Sequence, residues 1–487
     1  MNILLILLSL WTNPILPYDY SDPDAIRVGK TYYMVSSTFQ FTPGLPVLAS
    51  TDLAHWHYTT AAIPYEIPDN GGVWAPSIRF HKGRFYIYYG DPDHGIYCVR
   101  SAYYKHTGQI VPEDIQWEKP VLVCQAKGYI DPCPLWTKDG RCFLAHAFAG
   151  SRAGFKSAIA IMELSEDGLT VVSPSVIVYD GHEEHPTIEG PKLYYRNGYY
   201  YLFCPAGGVT NGWQLCLRST DIYGPYEVKR VLEQGTTAVN GPHQGAWVDD
   251  YFIHFQDVGP AGRIVHIQPL QWHNDWPVIG NNGTPVDSVN LPNTKHQTPN
   301  TKNQTPNTKH QTNNPAHWSG SFDPRYVYEN PADGRIRLFS FPVESVATAP
   351  NLRLRRIPNA PFAYTAKVRF CPNPKKTFTI FTYDKAQDTG DTLREEAGLV
   401  VYGRQTVCLP APANEWIWLR VTMDEHYLCQ FYTSQDNVHF LPYGEPFPVQ
   451  SSGWSGARVG LFCVRNHARI NDSGWLDVEN EEMEILK

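Results

Sequence analysis

The chain has 487 residues, enough for two or three domains, and its 42% hydrophobic and 13% aromatic content is that of a folded protein. A count of 40 Lys and Arg against 48 Asp and Glu leaves a net charge of −8, which offers no electrostatic argument for nucleic acid or an anionic membrane. The 30 Tyr and 14 Trp suit stacking on sugar rings, although most belong in a core. The ten cysteines contain no CxxC pair and no metal-finger spacing. Several sit in strand-like runs (Cys98, Cys142, Cys216, Cys429, Cys463) and read as buried free thiols, while Cys133 follows Asp131 by two residues.

The first segment, MNILLILLSLW, is too short to span a membrane. It has the apolar core of a signal peptide without a basic start or an A-x-A cleavage site, and leaves secretion and cytosolic residence evenly balanced. From about residue 13 one short phrase then recurs five times: DPDAIRVGKTYYM from Asp22, WAPSIRFHKGRFYIYY from Trp74, DPCPLWTKDGRCFLAH from Asp131, EGPKLYYRNGYYYLF from Glu189 and HQGAWVDDYFIHF from His243. Each is a short strand, a tight turn and a second strand rich in aromatic and β-branched residues. The turn markers Gly29, Gly83, Gly140, Gly198 and Asp250 are 54, 57, 58 and 52 residues apart. A fixed period of that length marks a propeller or another repeat array. A further strand follows in each unit, at 45–50, 96–101, 157–162, 214–219 and 263–268. The reading is an all-β, five-bladed propeller over 13–290. Its five opening residues share one register and meet near the axis.

Residues 291–311 repeat a seven-residue unit, LPNTKHQ, TPNTKNQ, TPNTKHQ, with no recurring apolar position and a Pro in each copy. This excludes a coiled coil and gives a solvated linker over 291–317. From 318 to 487 alternating runs such as RIRLFSF (335–341), TFTIFTY (377–383), WIWLRVTM (416–423) and ARVGLFCV (457–464) indicate a β-sandwich. No nucleophile motif stands out there, so it reads as a structural or carbohydrate-contacting partner.

Three of the five axial residues are carboxylates. Glycosidic-bond cleavage needs one carboxylic acid to protonate the leaving oxygen and a second carboxylate to activate water or attack carbon. A third can tune and orient the acid. Glu189, flanked by Ile188 and Gly190-Pro191, has the longest reach and an apolar neighbourhood that favours the protonated form. The Asp-Pro steps at Asp22 and Asp131 are expected to pin both backbones in the extended region, or simply to start turns. Trp74 supplies an aromatic wall. His243 either bonds a carboxylate or faces a central ion through water, since Ca²⁺ prefers oxygen ligands.

At this point the chain resembles glycoside hydrolase family 43, five-bladed propeller enzymes acting on xylan and arabinan side chains. NPILPYDYSDPDAIRVGKTYYMVSSTF, GGVWAPSIRFHKGRFYIYY, GYIDPCPLWTKDGR, TIEGPKLYYRNGYYYLF and NGPHQGAWV carry its motifs in order, over about 13–290. The distal sandwich resembles the family's common C-terminal domain. The resemblance implies an inverting mechanism with Asp22 as general base, Glu189 as general acid and Asp131 as the residue that tunes and orients the acid. It implies that Arg263 contacts the sugar, that Phe41 and Trp74 form subsite walls, and that His243 neighbours a structural calcium on the axis; no cofactor is required. The linker is not a family feature. The expected substrate is a pentose-containing oligosaccharide, most simply a β-xyloside, with α-L-arabinofuranosides as the alternative. Such a substrate tips the location toward secreted or periplasmic. Against these stand a binding propeller without catalysis and a retaining enzyme; carboxyl groups about 5–5.5 Å apart would mean retention and about 6.5–9.5 Å inversion.

Overall fold

Each of the five repeats folds as a four-stranded antiparallel sheet whose strands follow chain order. Blade I is Asp24–Val28, Thr31–Val35, Gly44–Ser50 and His57–Ile63; blade II is Trp74–His81, Arg84–Asp91, Gly95–Arg100 and Val121–Gln125. Blade III is Tyr129–Trp136, Cys142–Phe148, Ala158–Leu164 and Val176–Asp180; blade IV is Lys192–Arg196, Tyr199–Ala206, Trp213–Ser219 and Glu227–Glu233. Blade V is His243–Val248, Tyr251–Asp257, Arg263–His273 and Trp276–Ile279. The computed structural model describes residues 8–64, 72–292, 313–320, 322–330, 332–373, 394–466 and 473–486. Most of the repeat linker (293–311) and the strand expected over 377–383 lie outside them.

The first two strands of a blade are tied by hairpins of the kind the turn markers indicate. Lys82-Gly83 and Asn197-Gly198 both take positive φ (43° and 79°, 50° and 88°), the geometry of the two-residue turn that matches strand twist. Second strands such as Arg84–Asp91 are buried along nearly their whole length, because both faces of a blade are covered by its neighbours. Five apolar clusters fill the five gaps. One example joins Val35, Leu45 and Val47 of blade I to Ile78, Phe85 and Ile87 of blade II. Another joins Val248, Ile253 and Val265 of blade V to Ala25, Met34 and Leu48 of blade I.

The ring closes between blades V and I. Arg27 and the Tyr32 hydroxyl both reach Asp249, at 3.0 and 2.9 Å. The Ile15 and Tyr20 amides donate to the Val265 and Arg263 carbonyls. Leu8–Thr12 pairs antiparallel with Ser288–Pro292, so Leu291 and Pro292, read as the head of the linker, lie in a strand.

A second compact unit follows from residue 314 onward. It holds a six-stranded sheet that includes Arg353–Arg356, Glu395–Tyr402 and Arg458–Arg465. Its seven-stranded sheet runs Val327–Glu329, Ile336–Phe339, Trp475–Ile485, Phe362–Cys371, Trp416–Met423, Leu428–Ser434, Leu441–Pro448. Glu481 joins the two sheets, accepting from Arg353 at 2.8 Å and Arg355 at 2.7 Å, as in a sandwich. All ten cysteines are free.

Candidate active site

The site hangs on an irregular step at the start of three of the five inner strands. In blade II Trp74 pairs with Gly90 but Ser77 with Tyr88; in blade III Ile130 pairs with Ala147 but Cys133 with Ala145. Blade V slips the same way between His243 and Ala246. The residue within the slip takes positive φ: Ala75 at 33°, Asp131 at 57° and Gln244 at 38°, matched by Asp22 at 55° and Gly190 at 58° in the other two blades. The single register read from the repeats is therefore two. Asp22 and Asp131 occupy the left-handed position, and Trp74, Glu189 and His243 stand one residue before it. The expectation of extended backbone at the Asp-Pro steps is also corrected. Both residues take the left-handed conformation, which Asp tolerates, and the tertiary setting outweighs the local preference before proline.

Every side chain of this ring is held from another strand or blade. Asp22, 4% exposed, accepts from Arg263 Nη1 of blade V at 3.1 Å and from Ser37 Oγ, whose oxygen in turn accepts the Ala75 amide of blade II at 2.7 Å. Asp131, 2% exposed, accepts the Gly190 amide of blade IV at 2.8 Å. Glu189 Oε1 lies 2.9 Å from His243 Nε2 of blade V, and the Glu189 side chain is 34% exposed. Of the two openings left for His243, the carboxylate contact is the one observed. Trp74 is half-buried, edge-on to Phe39 at 6.3 Å. Phe41 is buried on the segment between the second and third strands of blade I.

Neighbouring carboxylates in a partly buried ring oppose one another's ionisation. Burial, then the charges of Glu189 and Asp22, push the Asp131 carboxyl well above its usual range. Burial also pushes Glu189 upward, but the hydrogen bond and charge of His243, with Arg263 and Lys156 behind, hold it below its usual range. The expected apolar surroundings belong to its neighbour Ile188, which is in the core between blades III and IV.

Two residues further along the inner strands of blades I to IV lies a second ring, of which the sequence had marked only Cys133. Asp24 accepts the Ile78 amide and Arg79 Nη1; Ser77 donates to the Pro132 carbonyl; Arg79 Nη2 and the Leu193 amide reach Cys133 Sγ. Buried Lys192 crosses from blade IV to the Pro76 carbonyl of blade II at 2.8 Å. This lower ring fixes the upper one. Burial raises the Cys133 thiol, which makes it a structural acceptor rather than a nucleophile. At the rim, Arg152 lies 5.9 Å from the Trp74 ring centre and 3.2 Å from Asp93. Arg152 lies in none of the motifs, and Ser37, at the end of the first, was not singled out because the repeated phrase stops at Met34.

Among the described residues no three His, Cys, Asp or Glu side chains converge as a metal site. His243 Nδ1 and Gln244 Oε1 are buried without a partner there, a donor set too thin to hold calcium except through its water shell.

The family model for glycosyl hydrolases family 43 matches residues 11–277. A protein of Xylanibacter ruminicola named putative beta-xylosidase is 35% identical, the match covering 91% of this chain and 85% of that one. A beta-xylosidase of Formosa agariphila is 30% identical over 58% of this chain and 54% of its own length. The crystal structure of a GH43 protein from Bacillus licheniformis shares the fold, with a TM-score of 0.78 at 22% identity over 98% of this chain and all of that one.

Proposed function

Because the chain belongs to glycosyl hydrolases family 43, we propose that it removes pentose units from xylan or arabinoxylan oligosaccharides, as a β-xylosidase with an inverting mechanism. The observation that carries this reading is the placing of Asp22, Asp131 and Glu189 around one ring, with buried Asp131 bonded to the Gly190 amide and pushed up by burial and by the charges of Glu189 and Asp22. Binding alone has no use for carboxylates set close enough to oppose one another's ionisation. The name of the relative from Xylanibacter ruminicola supports xylose over arabinose.

In this reading Asp22 is the general base. Arg263 and Ser37 fix its orientation, so it can take a proton from water poised against the sugar. Glu189 is the general acid. Its carboxyl is the one that opens to solvent, and a sugar ring seated over it removes that water. Desolvation already leads its upward push, so bound substrate drives Glu189 toward the protonated state the leaving oxygen needs. Asp131 tunes Glu189 by its nearness and orients it through the Gly190 amide. Arg263 can bond the sugar, and Phe41 and Trp74 wall the subsite. A calcium on the axis would be held through water by His243 Nδ1 and Gln244 Oε1, and would steady the imidazole that steadies Glu189.

The test is turnover of aryl β-xyloside and aryl α-L-arabinofuranoside, with proton NMR of the first sugar released. The xyloside should be preferred and the inverted anomer should appear first. Preference for the arabinofuranoside would move the chain to the sister specificity; a retained anomer would overturn the mechanism.

A further inference from the structure

The second unit carries an aromatic and polar strip that the chemistry above does not use. In Phe362–Cys371, the residues Phe362, Tyr364, Ala366 and Val368 are buried, and the Tyr364 hydroxyl bonds Glu481 between the sheets. Thr365, Lys367 and Arg369 therefore point to the outer face of the seven-stranded sheet. On the adjacent strand Trp416, Trp418 and Arg420 alternate outward in the same way, about 7 Å apart along the strand. Both indoles are half-buried. Lys367 Nζ lies 5.5 Å from the Trp416 ring centre and 5.7 Å from that of Trp418, which props the two rings on the sheet.

Beside Trp418 the face dips only slightly, a hollow of about 40 Å³ lined by Thr365, Arg420, Asn437, Glu482 and Glu484, so any sugar would lie across the open face rather than inside a cavity. Arg420 is fixed rather than floppy: Nε donates to Thr365 Oγ1 at 2.7 Å, and the guanidinium lies 3.5 Å from the Phe440 ring centre. Among the described residues its two terminal nitrogens have no protein acceptor, although Glu482 and Glu484 line the same hollow. A guanidinium held in place with its donors unspent, next to an indole edge and two carboxylate acceptors, has the makeup of a sugar subsite. Two carboxylates against one guanidinium disfavour an acidic sugar, which selects a neutral one.

We propose that this outer face is a second, non-catalytic carbohydrate site that takes a neutral pentose oligosaccharide, with Trp418 as its stacking platform and Arg420, Asn437 and Glu482 as its hydrogen-bonding groups. The pentose identity rests on the reading of the active site above; the site itself does not. It would hold the enzyme on a polymer while chain ends are trimmed elsewhere, raising the local substrate concentration.

The test uses the full chain carrying Glu189→Gln, so that substrate is not consumed, in depletion assays on insoluble arabinoxylan and on polygalacturonate. Arabinoxylan should retain the protein and polygalacturonate should not. Adding Trp418→Ala or the gentler Arg420→Gln should each weaken retention about tenfold, the scale of one lost stacking or charge-assisted contact. In the chain with Glu189 intact, the same two changes should leave kcat/KM on an aryl xyloside within about twofold. Undiminished retention in a folded Arg420→Gln protein, or equal retention on both polymers, would overturn the proposal. Trp418-dependent retention in a chain that turns over no pentoside would instead uphold this site and sink the active-site reading.

Discussion

His243 Nε2 lies 2.9 Å from Glu189 Oε1, so the most exposed of the three carboxylates is steered from the neighbouring blade. That contact sets both where Glu189 points and how readily it holds a proton. It makes the acid's behaviour a property of two blades rather than one.

Replacing His243 with Ala should raise the pKa of Glu189, because the contact is the leading influence holding it down. With Glu189 as proton donor, activity then persists to higher pH, while kcat at the optimum falls about 10- to 100-fold as the carboxyl loses its aim. The pH profile of kcat/KM decides. A basic limb that moves to lower pH would show that His243 does not depress Glu189.

Glu189→Gln should nearly abolish cleavage of xylobiose and spare substrates with a good leaving group. An amide fills the same space but cannot protonate the leaving oxygen, and a phenolate needs little such help. Losses on xylobiose should exceed those on dinitrophenyl xyloside by about 100-fold or more. Equal losses would remove Glu189 from the acid role.

Asp131→Asn should cost activity and gain stability. The folded pKa of Asp131 lies above its unfolded value of about 3.9. The wild-type chain therefore loses stability relative to Asn as pH rises from about 4 through the folded pKa, and loses none below. The Tm advantage of the variant should be small at pH 4 and larger at pH 7 by calorimetry. Above the folded pKa of Asp131 its charge opposes ionisation of Glu189, so its removal should move the basic limb to lower pH. A variant less stable than wild type at pH 7 would contradict the upward push on the buried Asp131 carboxyl.

Arg152→Ala should raise KM for pentosides about three- to tenfold with kcat little changed. Arg152 rests over Trp74 and is pinned by Asp93, contacts worth about 1 kcal/mol at a half-exposed rim. Arg152→Lys should recover part of the loss, and Asp93→Ala should reproduce a fraction of it. A fall confined to kcat would mean that Arg152 acts on the chemistry and not on the wall.

What could be read from the chain follows burial. Second strands such as Arg84–Asp91 are covered on both faces, so their aromatic runs stand out and the five repeats are countable. The outermost strands, Val121–Gln125 and Val176–Asp180 among them, are largely exposed and carry no pattern, and the sequence did not mark them. The carboxylates were found because they recur with the repeats. The slip that separates Asp131 from Glu189 by one register was not, because a one-residue bulge leaves the turn spacing unchanged. Ser37 and Arg152 act through partners on other blades, Ala75 and Trp74, and such pairs exist only once the ring has closed.

The closure between blades V and I has a consequence for how the protein fails. At the other four blade junctions the polypeptide itself runs across; here Leu8–Thr12 against Ser288–Pro292, the bonds to Asp249 and a few amides form a clasp with no covalent backing. The Arg263–Asp22 pair sits across that clasp, between residues 241 apart in the chain. Warming should loosen the clasp before it melts any blade, parting the guanidinium from the carboxylate while the sheets stay whole. Inactivation would then run ahead of unfolding, and the first casualty of heat would be one ion pair at the seam.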